Sequence, residues 1–108
     1  MFKSIVFIDV YVKLEVEYIR YKIRFTIRTE MGDVIQTELL LNQSQQVIRK
    51  LEQKQSIELL GLEGEIISFT PLNDNYLAID IKGRSKEDGF VLTPEQAQEV
   101  MKLCDKSI

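Results

Sequence analysis

The N-terminal part of the chain alternates between apolar and polar positions with a period of two, the pattern of half-buried β-strands. Apolar residues occupy the even positions of Val6–Val16 and the odd positions of Ile19–Ile27. A bulge within one long strand would explain this change of phase, and so would a tight reversal at residues 17 and 18. We favour the reversal because it sets Val16 opposite Ile19 and brings the apolar positions onto one face.

A second reversal is predicted at residues 30–33, where Gly32 and Asp33 are typical turn residues. Matching the apolar faces then places Phe25 opposite Leu39. The three predicted strands form an antiparallel β-meander over residues ~4–41, whose apolar start we interpret as a strand rather than a signal peptide. Together with the helices that follow, this pattern predicts an α+β fold.

Two helices are predicted from capping residues that precede apolar positions at helical spacing. The first covers residues ~43–54, where Asn42 and Ser44 are good caps. The second covers residues ~94–106, where the sequence Thr-Pro-Glu-Gln supplies an N-cap, a proline at the first helical position and the glutamine of a capping box. Its apolar face includes Cys104, which we therefore expect to be a buried thiol rather than a reactive one.

Between the helices, the sequence predicts a short strand at residues 56–60 and a second β-hairpin over residues ~65–82. Residues 82–89 carry five charges and no apolar side chain, so we expect an exposed loop that either connects its neighbours or takes part in recognition. Both halves of the chain are thus strands followed by a helix, and both helices begin with similar sequences, Leu-Asn-Gln-Ser-Gln and Leu-Thr-Pro-Glu-Gln. An old duplication would produce this similarity, and so would capping chemistry alone.

Composition predicts a single α+β domain over residues 1–108, with enough apolar mass for one core. The net charge of −3 is mild, so no field of the whole molecule would draw it to nucleic acid or to an anionic membrane. Histidine is absent, which removes the commonest general base and metal ligand. The single cysteine excludes an intrachain disulfide and fits a reducing compartment, so we expect a cytoplasmic protein that does not bind membranes.

Motifs for catalysis, metal binding and phosphate binding are weak in this sequence. The carboxylate pairs Glu15/Glu17 and Glu87/Asp88 lack the apolar surroundings that acid–base catalysis needs. Residues 61–64, Gly-Leu-Glu-Gly, lack the Lys-Ser/Thr ending of a phosphate-binding loop. We therefore expect no enzymatic activity, no metal site and no cofactor.

The polar face of the predicted meander combines cations with large apolar residues. Arg20, Arg24 and Arg28 follow one another on its second strand, and Glu15 is expected opposite Arg20. The candidate partner-binding residues that share this face in the predicted register are Ile5, Phe7, Tyr11, Arg20, Arg24, Arg28 and Leu40. One of the protein's own helices would cover such a face, or the face would bind another chain, because aromatic residues and arginine are favoured interface anchors.

These features predict a small non-catalytic binding protein that acts through a protein–protein interface. Its partner is another protein, a second copy of this chain in a homo-oligomer, or both. The binding protein would act by inhibiting its partner, and the small size and the histidine-free composition with Gln and Lys residues suggest a phage or mobile-element accessory protein. We recognise no family signature in the sequence.

The alternative is a nucleic-acid or anionic-nucleotide binding module. In this hypothesis the Arg/Lys row of the second strand holds phosphates, and Tyr11 offers a stacking surface. A third hypothesis is an oligomer that sequesters an anionic small molecule between its subunits with the same arginines. No sequence feature separates this third hypothesis from the other two.

Overall fold

A computed structural model of the protein describes residues 3–105. Two four-stranded antiparallel sheets each lead into one helix, which confirms the predicted α+β class. The first sheet and its helix are β1 (Lys3–Ile8), β2 (Val12–Ile19), β3 (Lys22–Thr29), β4 (Val34–Leu40) and α1 (Leu41–Glu52). The second sheet and its helix are β5 (Ile57–Leu60), β6 (Ile66–Pro71), β7 (Leu77–Lys82), β8 (Glu87–Leu92) and α2 (Pro94–Asp105). Lys106, the last residue of the predicted C-terminal helix, lies outside the described residues.

The N-terminal meander contains four strands rather than the predicted three. The additional reversal follows β1, where the Asp9 N–H donates to the Val12 carbonyl oxygen at 2.8 Å and the Asp9 carboxylate accepts the Val10 N–H at 2.7 Å. Residues 5–8 are all apolar, so their pattern does not reveal that the chain reverses after them. This reversal decides which positions of β1 face the core.

The β2–β3 turn lies at Arg20 and Tyr21 rather than at residues 17 and 18, and Val16 therefore pairs with Phe25. The two turn residues have φ values of 47° and 70°. Positive φ at both positions is what a two-residue type I′ turn requires. Because neither residue is Gly or Asn, the sequence gives no sign of this turn.

The β3–β4 reversal is confirmed where it was expected, but the turn is centred one residue earlier than the predicted pairing requires. The Thr29 N–H donates to the Asp33 carbonyl oxygen at 2.9 Å, and Gly32 has a φ of 89°. Phe25 consequently pairs with Thr37 rather than with Leu39. The shift is two residues, so the same side chains stay on the core face.

The second half confirms the predicted short strand and hairpin as β5, β6 and β7. The predicted exposed loop at residues 82–89 is wrong in its extent, because β8 already begins at Glu87. The intervening turn is closed by the Gly83 N–H, which donates to the Lys86 carbonyl oxygen at 2.8 Å. β8 is an edge strand whose first residues need only backbone hydrogen bonds to β7, so it does not require an apolar start.

Both helices begin at a glutamine side chain that binds the backbone three residues earlier. Gln96 Oε1 accepts the Thr93 N–H at 3.0 Å and Thr93 Oγ1 accepts the Gln96 N–H at 3.3 Å, which is the predicted capping box. In α1 the Gln43 Oε1 accepts the Leu40 N–H at 2.9 Å. The first helix therefore starts at Leu41, slightly earlier than predicted.

The two halves share one hydrophobic core. Phe25 of the first sheet and Phe69 of the second sheet, both fully buried, meet edge to face with ring centroids 5.5 Å apart. Helix α1 contacts β3 and β4 of its own half and β5 and β6 of the other, while α2 contacts β8 of its own half and β1 and β2 of the other, so both helices pack against both sheets. Cys104 is buried, as predicted, and this burial raises the pKa of its thiol to about 12.

Candidate protein-binding surface

The candidate site is the side of the first sheet that points away from the core. Side chains alternate across a strand, so the neighbours of the buried residues occupy this side. We call it the outer face, and it consists of the even-numbered residues of β1, β3 and β4 and the odd-numbered residues of β2. From Ile5 onward, the opposite positions supply the core side of this sheet.

Arg24 lies at the centre of the outer face between two carboxylates. The register places Glu17 of β2 and Glu38 of β4 directly opposite it. Arg24 Nε donates to Glu38 Oε2 at 3.0 Å, and Arg24 Nη1 is 3.9 Å from Glu17 Oε1. The exposed fraction of the side chain is 32% for Arg24 but only 12% and 13% for the two glutamates. A guanidinium held by two largely buried carboxylates is fixed in position.

The layer beside this ion-pair cluster is closely packed. Thr26 is only 1% exposed although it lies on the outer face, and its hydroxyl donates to Gln36 Oε1 at 3.3 Å. The neighbouring polar side chains therefore cover the strand between Arg24 and Arg28. The centre of this face is consequently a firm surface rather than a set of independently moving side chains.

A shallow depression of about 550 Å³ lies next to Arg24. Its lining consists of Glu17, Ile19, Arg20, Lys22, Arg24 and Glu38. Three cations and two carboxylates thus surround one apolar side chain. Such a mixture is suited to a partner with both charged and apolar groups.

The β2–β3 turn forms the tip of the sheet beside this depression. Tyr21 is 73% exposed, and Arg20 is exposed as well. A positive φ is uncommon for non-glycine residues, and Asn or Asp adopts it at a lower cost than Arg or Tyr. The turn therefore holds a cation and an aromatic ring in the open at some cost in stability.

The structure places three of the predicted partner-binding residues together on the outer face: Arg24, Arg28 and Leu40. Arg20 adjoins them at the tip and does not face Glu15, whose strand partner is Thr26. Leu40 retains an exposed fraction of 43% beside the cationic residues. These residues supply the charged and apolar elements of one continuous surface.

Tyr11 lies apart from this group. It belongs to the β1–β2 turn at the other end of the sheet, where its carbonyl oxygen accepts the Glu30 N–H at 2.9 Å. Its side chain is 68% exposed. Tyr11 is thus available at the surface, but it does not border the depression beside Arg24.

Ile5 and Phe7 lie on the opposite side of the sheet from the arginines. Phe7 is 5% exposed and Ile5 packs against the core, so the prediction that they share the arginine face is wrong. The physical reason is the unrecognised reversal after β1, which turns the odd positions of this strand inward. Val6 and Ile8 occupy the outer face instead, with exposed fractions of 44% and 73%. The unbroken apolar run was the signal that both faces of this strand are apolar.

The outer side of the second sheet has a different chemistry, since none of its strands contains an arginine. Asp80 of β7 faces Gly89 of β8, and a side chain at position 89 would collide with the Asp80 carboxylate. Burial, reinforced by the charge of Glu87, raises the pKa of Asp80 above 3.8. Val91 on the same side is 56% exposed, which makes it a matched reference position for the first sheet.

Comparison with models of known families and with curated proteins finds no match for this chain. None of the helices within residues 3–105 is long and apolar enough to cross a membrane. The geometry of the outer face is therefore the basis for assigning a function.

Proposed function

We propose that this chain is a non-catalytic binding protein whose outer face docks onto another protein. The observation that carries the proposal is Arg24, fixed between Glu17 and Glu38 and bordered by the exposed Leu40. Arginine is enriched among the residues that contribute most of the binding energy at protein interfaces, and a side chain that is ordered before the partner arrives loses little entropy on binding. A surface with these properties binds without having to order its central side chain.

The charge arrangement favours a protein partner over nucleic acid. Phosphate-binding arginines need free N–H groups, whereas Arg24 already donates to a carboxylate at 3.0 Å. Two carboxylates at the centre of the face would also repel a phosphate backbone. A protein surface can offer groups of both signs, and a polyanion cannot.

The same proposal covers the mode of action and the location. A binding face without catalytic chemistry acts on its partner by occupying a surface, so we propose an inhibitor. Cys104 is the single cysteine of the chain, and this cysteine usage supports action in the reducing cytoplasm. An origin in a phage or mobile element is part of the same proposal.

Affinity capture from a nuclease-treated lysate of the native host tests the proposal with matched variants. Leu40→Glu places a charge on the outer face and leaves the backbone hydrogen bond of Leu40 in place. Val91→Glu makes the same change on the outer side of the second sheet. We expect one protein to be retained by wild type and by Val91→Glu but lost from Leu40→Glu. Equal retention by both variants would refute the outer face as the docking surface.

A second candidate function is binding of nucleic acid or an anionic nucleotide. The observation in its favour is an excess of cations on the outer face and its tip, in a chain whose net charge is −3. The five cations are Lys13, Arg20, Lys22, Arg24 and Arg28, and the three carboxylates are Glu15, Glu17 and Glu38. A small anion held between subunits would use the same excess.

Fluorescence anisotropy with a labelled single-stranded oligonucleotide or nucleotide tests this second candidate. If it is correct, affinity falls at least about tenfold between about 50 and 200 mM salt. Arg28→Glu should weaken binding further, because Arg28 is exposed at the surface. Affinity that changes with neither salt nor Arg28→Glu would exclude phosphate recognition by this face.

A further inference from the structure

β1 forms an edge of the first sheet, and within residues 3–105 it pairs with β2 alone. The Asp9 N–H donates across this pair to Val12, and hydrogen bonding in an antiparallel pair alternates every second residue. Phe7 and Ile5 therefore direct their backbone groups towards β2. The N–H and C=O groups of the even-numbered residues of β1 point outward from the sheet.

From Ser4 onward, β1 lacks the protective charges or contacts that the other three edge strands carry. Glu38 lies within β4, Glu58 within β5, and two acidic residues begin β8. The Glu38 carbonyl oxygen also accepts the Leu62 N–H at 3.0 Å, which covers part of the β4 edge. From Ser4 to Ile8, β1 contains neither a charge nor a proline. An edge of this kind is a template for another strand.

The sequence of β1 is complementary to itself when the strand is reversed. When two β1 strands pair, residues whose backbone groups point outward must lie opposite each other. The possible registers are therefore centred near Val6. With Val6 opposite its own copy, Ser4 lies opposite Ile8 and Ile5 lies opposite Phe7. Lys3 at the start of the strand then lies opposite Asp9 just after its end. A shift of two residues in either direction would put Lys3 or Asp9 opposite an apolar residue instead.

We propose that β1 pairs antiparallel with β1 of a second copy, about a twofold axis at Val6, and so forms a continuous eight-stranded sheet. The pairing adds about six backbone hydrogen bonds from the even-numbered residues of both strands. It brings together Val6 and Ile8 of both copies, which are 44% and 73% exposed in the single chain. A twofold pairing closes on itself and leaves no β1 edge for a third chain.

The dimer would place both outer faces on the same side of the joined sheet. The dimer therefore has two equivalent docking surfaces. Only their use in partner binding rests on the proposed function. Self-association at β1 and capture of a partner at Leu40 involve different strands of the sheet. A monomeric protein that captures its partner would refute the dimer alone, while a dimer that captures nothing would refute the docking face alone.

Sedimentation equilibrium of the purified full chain tests the dimer with Val6→Pro. The Val6 N–H points away from β2, so proline removes no hydrogen bond within the sheet but blocks the centre of the proposed pairing. We expect a wild-type dimer and a folded monomeric variant whose dimerisation is weaker by more than about hundredfold. Val91→Lys, on the edge strand β8, is the control and should remain dimeric. Wild type that is monomeric at about 100 μM, or a dimeric Val6→Pro variant, would overturn the proposal.

A charge exchange provides an independent test that leaves the centre of β1 unchanged. Lys3→Glu places two acidic residues opposite each other at both ends of the pairing and should weaken dimerisation about tenfold. Adding Asp9→Lys restores opposite charges and should recover most of the affinity. The proposed register is wrong if the double variant is no tighter than Lys3→Glu alone.

Discussion

The two halves of this protein have the same order of elements but present different surfaces. Each half is a four-stranded antiparallel meander followed by a helix with a glutamine cap. Their inner faces are chemically similar, because both supply aliphatic and aromatic residues to one core. Their outer sides differ, since arginine occurs on the strands of the first sheet alone. Shared architecture therefore reflects the needs of the core, and the difference marks the half that we assign to binding.

The second turn of each meander makes the contrast concrete. In the second half, Asp74 and Asn75 have positive φ values of 61° and 67°, and both residue types tolerate this conformation. In the first half, Arg20 and Tyr21 occupy a turn with the same requirement. Residues that tolerate this conformation less well thus occupy an exposed tip, which agrees with our proposal that their side chains take part in binding.

The edges of the two sheets differ in the same direction. β5, which opens the second meander, is four residues long and contains Glu58. β1, which opens the first, is six residues long and has no charge from Ser4 to Ile8. Short length and charge are the usual protection of an exposed edge. The edge strand β1 therefore lacks the usual protection at the place where we propose an interface.

The largest predicted effect on stability comes from substitutions in the core that the two halves share. Phe25→Ala and Phe69→Ala should each lower the free energy of unfolding by about 3 to 5 kcal/mol, because each removes a fully buried ring. The double variant should show a coupling of about 0.5 to 1.5 kcal/mol for the edge-to-face contact. Urea denaturation of the four proteins measures both quantities. Strictly additive losses would contradict a direct contact between the halves.

The next effect tests the ion-pair cluster that distinguishes the first sheet. Arg24→Ala leaves Glu17 and Glu38 without their cation and should destabilise the protein by about 1 to 3 kcal/mol. Arg28→Ala is the control, and its exposed position predicts a change within about 0.5 kcal/mol. Thermal or urea unfolding compares the two variants. Equal effects would show that the cluster does not organise the outer face.

A smaller effect, of opposite sign, comes from making the two turns alike. The double variant Arg20→Asn/Tyr21→Gly should be more stable than wild type by about 1 kcal/mol, because Asn-Gly is favoured in a type I′ turn. The same variant should bind the captured partner more weakly, since it removes two exposed side chains beside the depression. Asn75→Gly in the second half is the control and should alter neither property appreciably. Unchanged partner binding would remove the tip from the proposed site.

The smallest effect concerns the second sheet and depends on pH. The pKa of Asp80 is raised above 3.8 in the folded chain, so folding favours its protonated form. The stability that protonation of Asp80 contributes is fully present below pH 3.8. It is lost as the pH rises through the pKa of Asp80 in the folded chain. At pH 7, Asp80→Asn should therefore raise the free energy of unfolding by less than about 1 kcal/mol. Denaturation at pH 7 measures the change, and destabilisation by Asp80→Asn would contradict the sign.

Sequence reasoning succeeded where local chemistry decides the structure. The Thr-Pro-Glu-Gln sequence fixes the start of α2 through hydrogen bonds within a few residues, and alternation identified the core faces of β2 and β3. It failed at Arg20 and Tyr21, because packing of the whole sheet imposes a conformation that these residues disfavour locally.

The site could be predicted only in part for a related reason. Arg24, Arg28 and Leu40 follow from alternation on β3 and β4, and they share the outer face. Ile5 and Phe7 were assigned to the wrong side, because an unbroken run of apolar residues does not show which positions face the core. The partner positions of Arg24 depend on strand register, which alternation determines only to within multiples of two residues, and the β2–β3 register differs from the predicted one by six residues.

The central claim is that the first sheet, and not the second, docks onto another protein. Site-specific photo-crosslinking in the native host tests it directly, with a photo-crosslinking amino acid replacing either Arg28 on the outer face or Val91 on the second sheet. Both positions are exposed, so each reports on what lies beside it. We predict an adduct with a second protein from position 28 and none from position 91. Adducts from position 91 alone, or from neither position, would contradict the claim.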